Sequence, residues 1–556
     1  MSESTGPPRG GDDAPARGRA RSGLLSLQRE DGRFEGRLTS SAFPTLACVL
    51  IEALDGAATD PGYVRWMASQ QHADGRFALD PEGCASDEAT RLARVALKAA
   101  LTSHADAELD PILERIAVDD WHLWLVKVLG ALAGQYEWAR VPPPGVAEAL
   151  GSVIEPLTRL LPEAVRAKLR PPRHMSPPVS LFYRPAFRRL FVAEQFTLAP
   201  MLLLIEAHTR KRDRVLSDLA AWILARQAGD GSWFCVTFIT ALATMALMVA
   251  RDAVPSERVE GPLARATRWL AGTRNDDGGH REAVSLNVWD TALATLALLR
   301  LGERPTSRSV RAATAWLAAA QHSDGGWAFH ALTGPGLLPD ADDTALATLA
   351  LHRAGGHAEA VRRGAEWLRR KQARDGSWST YVPEAGDVGC VSVTAHAVET
   401  MDALGDARSA GRGADWLERA QARDGSWDDL WLAKRTYGTS AALIALSQMG
   451  RGSDDPARRG MRWLAEARNS DGGWGETQLG EPAASTAEQT AFALQALRAL
   501  GQEDADAAAW LHDAQREDGS WPASPIGIYW EVIGGYANPM NACVFPALAL
   551  TQTAAS

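Results

Sequence analysis

Three carboxylates fall within four residues at Asp340-Ala341-Asp342-Asp343, followed at once by Thr344-Ala345. Aspartate at the N-cap or in the first turn of a helix is favoured by the free N–H groups and the helix dipole, so one or two acids here would be ordinary capping. Three exceed what a cap needs. In a closed cavity, like charges and desolvation push a carboxyl toward its neutral form, and a carboxylic acid kept protonated near neutral pH can act as a general acid. The same x-x-Thr-Ala start recurs, in some copies loosely, at Trp289-Asp290-Thr291-Ala292, Ser392-Val393-Thr394-Ala395, Tyr437-Gly438-Thr439-Ser440 and Glu488-Gln489-Thr490-Ala491. Its first position differs in every copy. Equivalent starts on helices that ring one cavity would bring Trp289, Asp342, Ser392, Tyr437 and Glu488 to face one another, with His396 one turn from Ser392 on the same face.

The helices that position these residues are marked by a repeated turn. Gln321-His-Ser-Asp-Gly-Gly-Trp327 has counterparts ending at Phe34, Phe77, Trp233, Trp378, Trp427 and Trp521, and degenerate copies ending at His280 and Trp474. The Asp of the turn recurs at positions 230, 277 and 324, a period of 47 residues, and the later copies keep close to it. Each unit reads as an amphipathic helix, an Asp-Gly turn in which Gly can take positive φ, and an apolar helix. No strand pattern competes. Helix pairs whose second member is apolar all round close into α/α barrels with those helices inside. The expected fold is therefore all-α: residues 1–21 a disordered tail, 22–284 a first α/α barrel with an irregular insertion at about 121–210, and 285–556 a second α/α barrel carrying the acids.

The chain has 20 Trp against 7 Tyr and 12 Phe, and the repeat phase accounts for most of them as turn-locking scaffold. Outside the phase stand Trp121, Trp124, Trp138, Trp289, Trp431 and Trp530. A formal net charge of −10 gives no basic footprint for nucleic acid. Five scattered cysteines without a Cys-x-x-Cys pair argue against a disulfide framework or a zinc site, and a cytoplasmic setting is expected. The uncharged stretch Trp233–Ala250 is read as a helix buried on all sides, not a membrane span, since it lies in phase with the repeat.

Taken together, Asp-Ala-Asp-Asp-Thr-Ala at 340–345, the Gln-to-Trp turns, Val-Trp-Asp-Thr-Ala-Leu-Ala at 288–294, Val-Thr-Ala-His at 393–396 and Val-Phe-Pro-Ala-Leu-Ala-Leu at 544–550 resemble squalene-hopene-type class II terpene cyclases. The resemblance covers nearly the whole chain. It implies two α/α barrels, called β and γ, with the active site between them; here 285–556 would be the β type and 22–284 the γ type. It makes Asp342 the acid that protonates a terminal alkene or epoxide, supported by Asp340 and Asp343, with His396 hydrogen-bonded to it and Tyr437 near. Trp289 and Trp431 fall where the family places rings along the cavity, and indole faces stabilise a migrating carbocation without offering it a nucleophile. The sequence also departs from the family. Ser392 stands where hopene-forming members have Asp. Tyr529, Trp530 and Tyr536 are the rings available near the C-terminus, with Asn538 and Asn541 where rings are common, so a differently shaped pocket follows.

Trp431-Leu-Ala-Lys434-Arg435-Thr-Tyr437 is similar to a segment of copalyl-diphosphate-type class II cyclases in which a Lys approaches the substrate diphosphate. By that match Lys434, with Arg435 beside it, is the expected diphosphate ligand. The segment matching the apolar membrane plug of squalene cyclases, Ser256 to Arg268, is charged here. The expected substrate is a linear isoprenyl diphosphate, farnesyl or geranylgeranyl, converted to a bicyclic product that keeps its diphosphate. Mg²⁺ is expected with the diphosphate, though no ligand set is visible, and no organic cofactor is expected. The alternatives are a squalene or other polyprene cyclase and, more distantly, a non-catalytic α/α-barrel binding protein.

Overall fold

The computed structural model describes residues 14–79, 83–103, 109–116, 124–141, 176–190, 192–251, 254–331, 337–381, 389–529 and 534–550. These contain 21 α-helices and a few strands of two or three residues, an all-α fold. In chain order the first helices are α1 (Ala14–Leu27), α2 (Ala42–Leu54), α3 (Pro61–Gln70), α4 (Asp87–Ser103), α5 (Asp110–Glu114), α6 (Trp124–Leu132) and α7 (Val192–Thr209). There follow α8 (Asp213–Leu224), α9 (Thr237–Ala250), α10 (Ser256–Gly272), α11 (Asn287–Arg300), α12 (Arg308–Ala319), α13 (Ala341–Ala354) and α14 (Ala358–Lys371). The last are α15 (Val391–Ala403), α16 (Ala407–Ala420), α17 (Lys434–Gln448), α18 (Asp455–Glu466), α19 (Ala487–Ala499), α20 (Ala505–Ala514) and α21 (Pro539–Ala549).

Two rings of inner helices result. In the first, α2, α4, α6, α7 and α9 pack in sequence and α9 returns to α2. The stretch Trp233–Ala250 thus supplies an inner barrel helix, and among the described residues no helix is long and apolar enough to cross a membrane. In the second ring α11, α13, α15, α17, α19 and α21 pack in sequence and α21 closes on α11. Their side chains are buried nearly throughout. Amphipathic α12, α14, α16, α18 and α20 wrap the outside.

The repeated turn is the device that joins these layers. The Trp378 indole N–H donates to the carbonyl of Leu368 on its own outer helix, 2.9 Å away, and its backbone N–H donates to Thr394 Oγ1 on the next inner helix at 3.0 Å. Gln372 Nε2 donates both to Gly376 O within the turn and to Ser409 O at the next outer helix, each at 2.9 Å. Gly376 holds φ at 100°, where a Cβ would strike the Arg412 carbonyl. The copies at Trp327 and Trp427 repeat this pattern.

The same bonds correct the expected domain boundaries. Gln515, after α20, donates to Ala16 O of α1 at 3.0 Å, and Gln28, after α1, donates to Ser309 O of α12, also at 3.0 Å. Phe34 N–H then donates to Thr291 on α11. Residues 14–34 are therefore the sixth outer helix and turn of the second barrel, not part of a tail or of the first barrel. Ala16, Ala20 and Leu24 bury against α21 and α11, which is why this Gly- and Arg-rich stretch is ordered. Residues 1–13 lie outside the described part. The first barrel closes on itself in the same way, His280 N–H donating to Thr45 on α2 at 2.8 Å. It is an insertion between α1 and α11. Of the expected irregular segment at 121–210, α6 and α7 are ring helices and 142–175 lie outside the described residues.

Candidate active site

Between the barrels lies a cavity with a largely apolar lining. Its wall from the first barrel carries Phe234, Val236 and Glu282; its wall from the second carries Trp289, Phe329, Asp340, Asp342, Asp343, Tyr381, Trp431 and Tyr437. The acids arrive there because Asp340 caps α13, its carboxylate accepting the Asp343 N–H at 2.8 Å, so the first helical turn projects into the cavity. Asp342 Oδ1 is hydrogen-bonded to Nδ1 of His396 on α15 at 2.6 Å, and the Tyr437 hydroxyl of α17 lies 3.5 Å from Nε2 of the same ring. Three consecutive inner helices thus supply one hydrogen-bonded line.

The electrostatics sort these groups. Burial, with the charge of Asp342, holds Asp340 well above the usual carboxylate range against the Asp343 N–H bond. Burial and the two neighbouring carboxylates do the same to Asp343. Both are pushed toward their neutral forms, which relieves the repulsion three adjacent charges would create. For His396, burial opposes the charged ring, but the Asp342 carboxylate beside it outweighs burial and raises its pKa. Burial also keeps the Tyr437 phenol protonated.

The expected rings are held in fixed orientations. Trp289 Nε1 donates to Asn541 Oδ1 at 3.1 Å, and its ring centroid is 6.0 Å from that of His396. Trp431 Nε1 donates to Thr380 Oγ1 at 2.9 Å. Phe234, Phe329 and Tyr381 were not legible as cavity residues; Phe234 faces the site through two consecutive left-handed residues, itself at φ 59° and Cys235 at φ 54°. Tyr536 lines the cavity as well, whereas the side chain of Tyr529 and all of Trp530 lie outside the described part.

Several expected members of the ring fall elsewhere. Ser392 and Glu488 are buried but do not line the cavity; Glu488 accepts the Ser524 N–H at 3.0 Å. The Ser392 N–H instead donates to Asp429, a buried carboxylate that the sequence reading passed over. Asp429 also accepts the Trp431 N–H at 2.9 Å and so fixes the loop that carries the ring. Lys434 and Arg435 are absent from the cavity wall. Arg435 pairs with Asp428 on the surface at 3.3 Å, because the first turn of α17 aims it outward. Lys434 lies half-buried, two residues past Leu432 of the wall, with no ion-pair partner among the described residues. For Mg²⁺, the described residues hold no cluster of three or more His, Cys, Asp or Glu side chains placed to ligate a metal.

Residues 194–340, 285–386 and 383–552 match the model of the squalene-hopene cyclase C-terminal domain family. The chain belongs to this family. This cyclase is thus an enzyme of the class II terpene cyclase superfamily. It is 29% identical over 464 residues to squalene–hopene cyclase of Alicyclobacillus acidocaldarius, covering 69% of this chain and 70% of that protein. Over 129 residues it is 35% identical to drimenyl diphosphate synthase of Streptantibioticus cattleyicolor, covering 22% of this chain and 24% of that protein. In fold the cyclase is similar to ent-copalyl diphosphate synthase from Streptomyces platensis, with a TM-score of 0.58 at 20% identity over 96% of this chain and 99% of that one.

Proposed function

We propose that this cyclase closes two rings of a linear isoprenyl diphosphate, farnesyl to a drimane or geranylgeranyl to a labdane skeleton, by protonation at Asp342 and with the diphosphate retained. The observation that carries the reading is the Asp342–His396 pair at the wall of an aromatic cavity. In its protonated form Asp342 gives its proton to the terminal double bond, and the alkene electron pair forms the new C–H bond. As negative charge develops on Asp342, its bond to His396 strengthens, while Asp340 and Asp343, pushed toward their neutral forms, add little repulsion. The cation moves inward past the faces of Trp289 and Trp431. Each such face contributes about 2 kcal/mol in a desolvated site and has no lone pair positioned to trap the cation.

The diphosphate is favoured by the half-buried, unpaired Lys434 beside the cavity wall and by the 35% identical stretch shared with a drimenyl diphosphate synthase. A second reading, cyclisation of squalene, is favoured by the cavity wall itself, which carries no Lys or Arg among the described residues. Incubation with farnesyl diphosphate, geranylgeranyl diphosphate and dispersed squalene separately, with phosphatase before mass analysis, decides between them. A cyclic alcohol released only by phosphatase supports the diphosphate; a cyclised hydrocarbon from squalene alone overturns it.

A further inference from the structure

The cavity wall carries one carboxyl outside the acid triplet. Glu282 stands two residues after the turn residue His280, and the same place after Trp327 and Trp378 is held by Phe329 and Thr380, which also line the cavity. Glu282 is 1% exposed, and neither of its carboxyl oxygens makes a hydrogen bond of good geometry among the described residues, although the Ser41 hydroxyl approaches them. Its counterpart in the copy ending at Trp474 is Glu476. There the carboxylate caps α17, Oε1 accepting the N–H groups of Lys434 and Thr436 at 2.6 Å each. At the matching helix start of the first barrel, Thr237 N–H donates to the backbone carbonyl of Glu282 at 2.7 Å. The side chain is thereby released from capping and left facing the cavity. A buried acid so poorly satisfied costs stability, so its place on the cavity wall calls for a use there.

We propose that Glu282 is the base that ends the reaction. It takes a proton from a carbon next to the last cationic centre: the C–H bond breaks, its electron pair becomes the second bond of the product alkene, and the proton ends on a Glu282 oxygen. Asp342 has lost one proton and Glu282 gained one, so the overall change is an isomerisation, completed when both exchange with water. The wall opposite α13 suits the role, because the base must stand away from the acid that has just become an anion. The other titratable groups of the wall fit less well: burial keeps Tyr437 and Tyr536 protonated, and Asp340 and Asp343 stand in the triplet beside Asp342 itself. Burial raises the Glu282 carboxyl to about 8, which makes its ionised form a stronger base than an ordinary carboxylate.

The assignment rests on Asp342 as proton donor, and the test separates the two. The full-length Glu282→Gln variant and the wild type are incubated at pH 8 with whichever substrate the wild type cyclises, and products and initial rates are compared. The expected result is a fall of about tenfold or more in formation of the native alkene, with the cation diverted to a hydroxylated bicycle or to alkene isomers, and KM within about twofold. Glu282→Asp, which keeps the carboxylate but draws it back, is expected to recover part of the native alkene. Both variants should melt within a few degrees of the wild type, since the Ser41 hydroxyl is the polar group their carboxyl substitution disturbs. The native alkene at the native rate from Glu282→Gln, or a raised KM with product unchanged, would overturn the assignment while leaving Asp342 untouched. Failure of the wild type to cyclise any of the substrates would overturn both.

Discussion

Asp342 and His396 form the pair on which turnover depends, and their substitutions should separate chemistry from folding. Asp342→Asn removes the transferable proton at nearly constant shape, so kcat should fall by about 10³-fold or more with the melting temperature changed by only a few degrees, checked by product assay and calorimetry. His396→Ala leaves the acid in place but removes its hydrogen bond, and a fall of about 10²-fold in kcat is expected. The buried acids also set a stability slope. Asp340, Asp343 and Glu282 all bind protons more tightly folded than unfolded, so their contribution is complete below the unfolded carboxylate range and is lost as pH rises; for Glu282 the loss runs from about 4.5 to about 8. Thermal melting should therefore decline across that window, and Glu282→Gln should flatten the decline.

The outer helix, turn and inner helix act as a unit because one buried tryptophan and one glutamine connect them. Trp378 is fully buried, and Trp378→Ala removes its packing and its indole hydrogen bond together, a loss of about 3–5 kcal/mol. Gln372→Ala removes two side-chain bonds, one within the turn and one to the next repeat, about 1 kcal/mol each. Denaturant unfolding should rank the two variants in that order. Both residues belong to the one turn between α14 and α15 and neither lines the cavity, so residual activity at low temperature should outlast the loss in stability. The loop before α17 is organised differently, by Asp429 holding the N–H groups of Ser392 and Trp431. Ser392 places no carboxylate on α15; the nearby buried one stands on this loop instead.

The whole molecule is two barrels in which the second is interrupted by the first. Its outer ring is completed only when α1 docks between α20 and α12, and Arg21 pairs with Glu303 at the end of α11. Replacing Leu24, 1% exposed, by Asp would place an unpaired charge in that seam. The barrel holding Asp342 should then melt lower and lose its closed ring, an effect visible in calorimetry, with activity lost in parallel although Leu24 touches no cavity residue.

The sequence by itself determined the helix-pair repeat, the all-α class, and the candidate roles of Asp342, His396, Trp289 and Trp431. Those follow from periodicity and short motifs, which local chain geometry converts directly into helix faces and turn positions. Only the tertiary structure decided that residues 14–34 complete the second barrel, that Arg435 turns to the surface, that Ser392 and Glu488 leave the cavity ring, and that Glu282 and Asp429 are buried beside it. Each of these depends on neighbours far along the chain: Ala16 on Gln515, Phe34 on Thr291, Asp429 on Ser392, and Glu282 on the absence of the two N–H donors that Glu476 caps. Burial and the pairing of a polar group are properties of three-dimensional neighbours, and a single sequence does not record them.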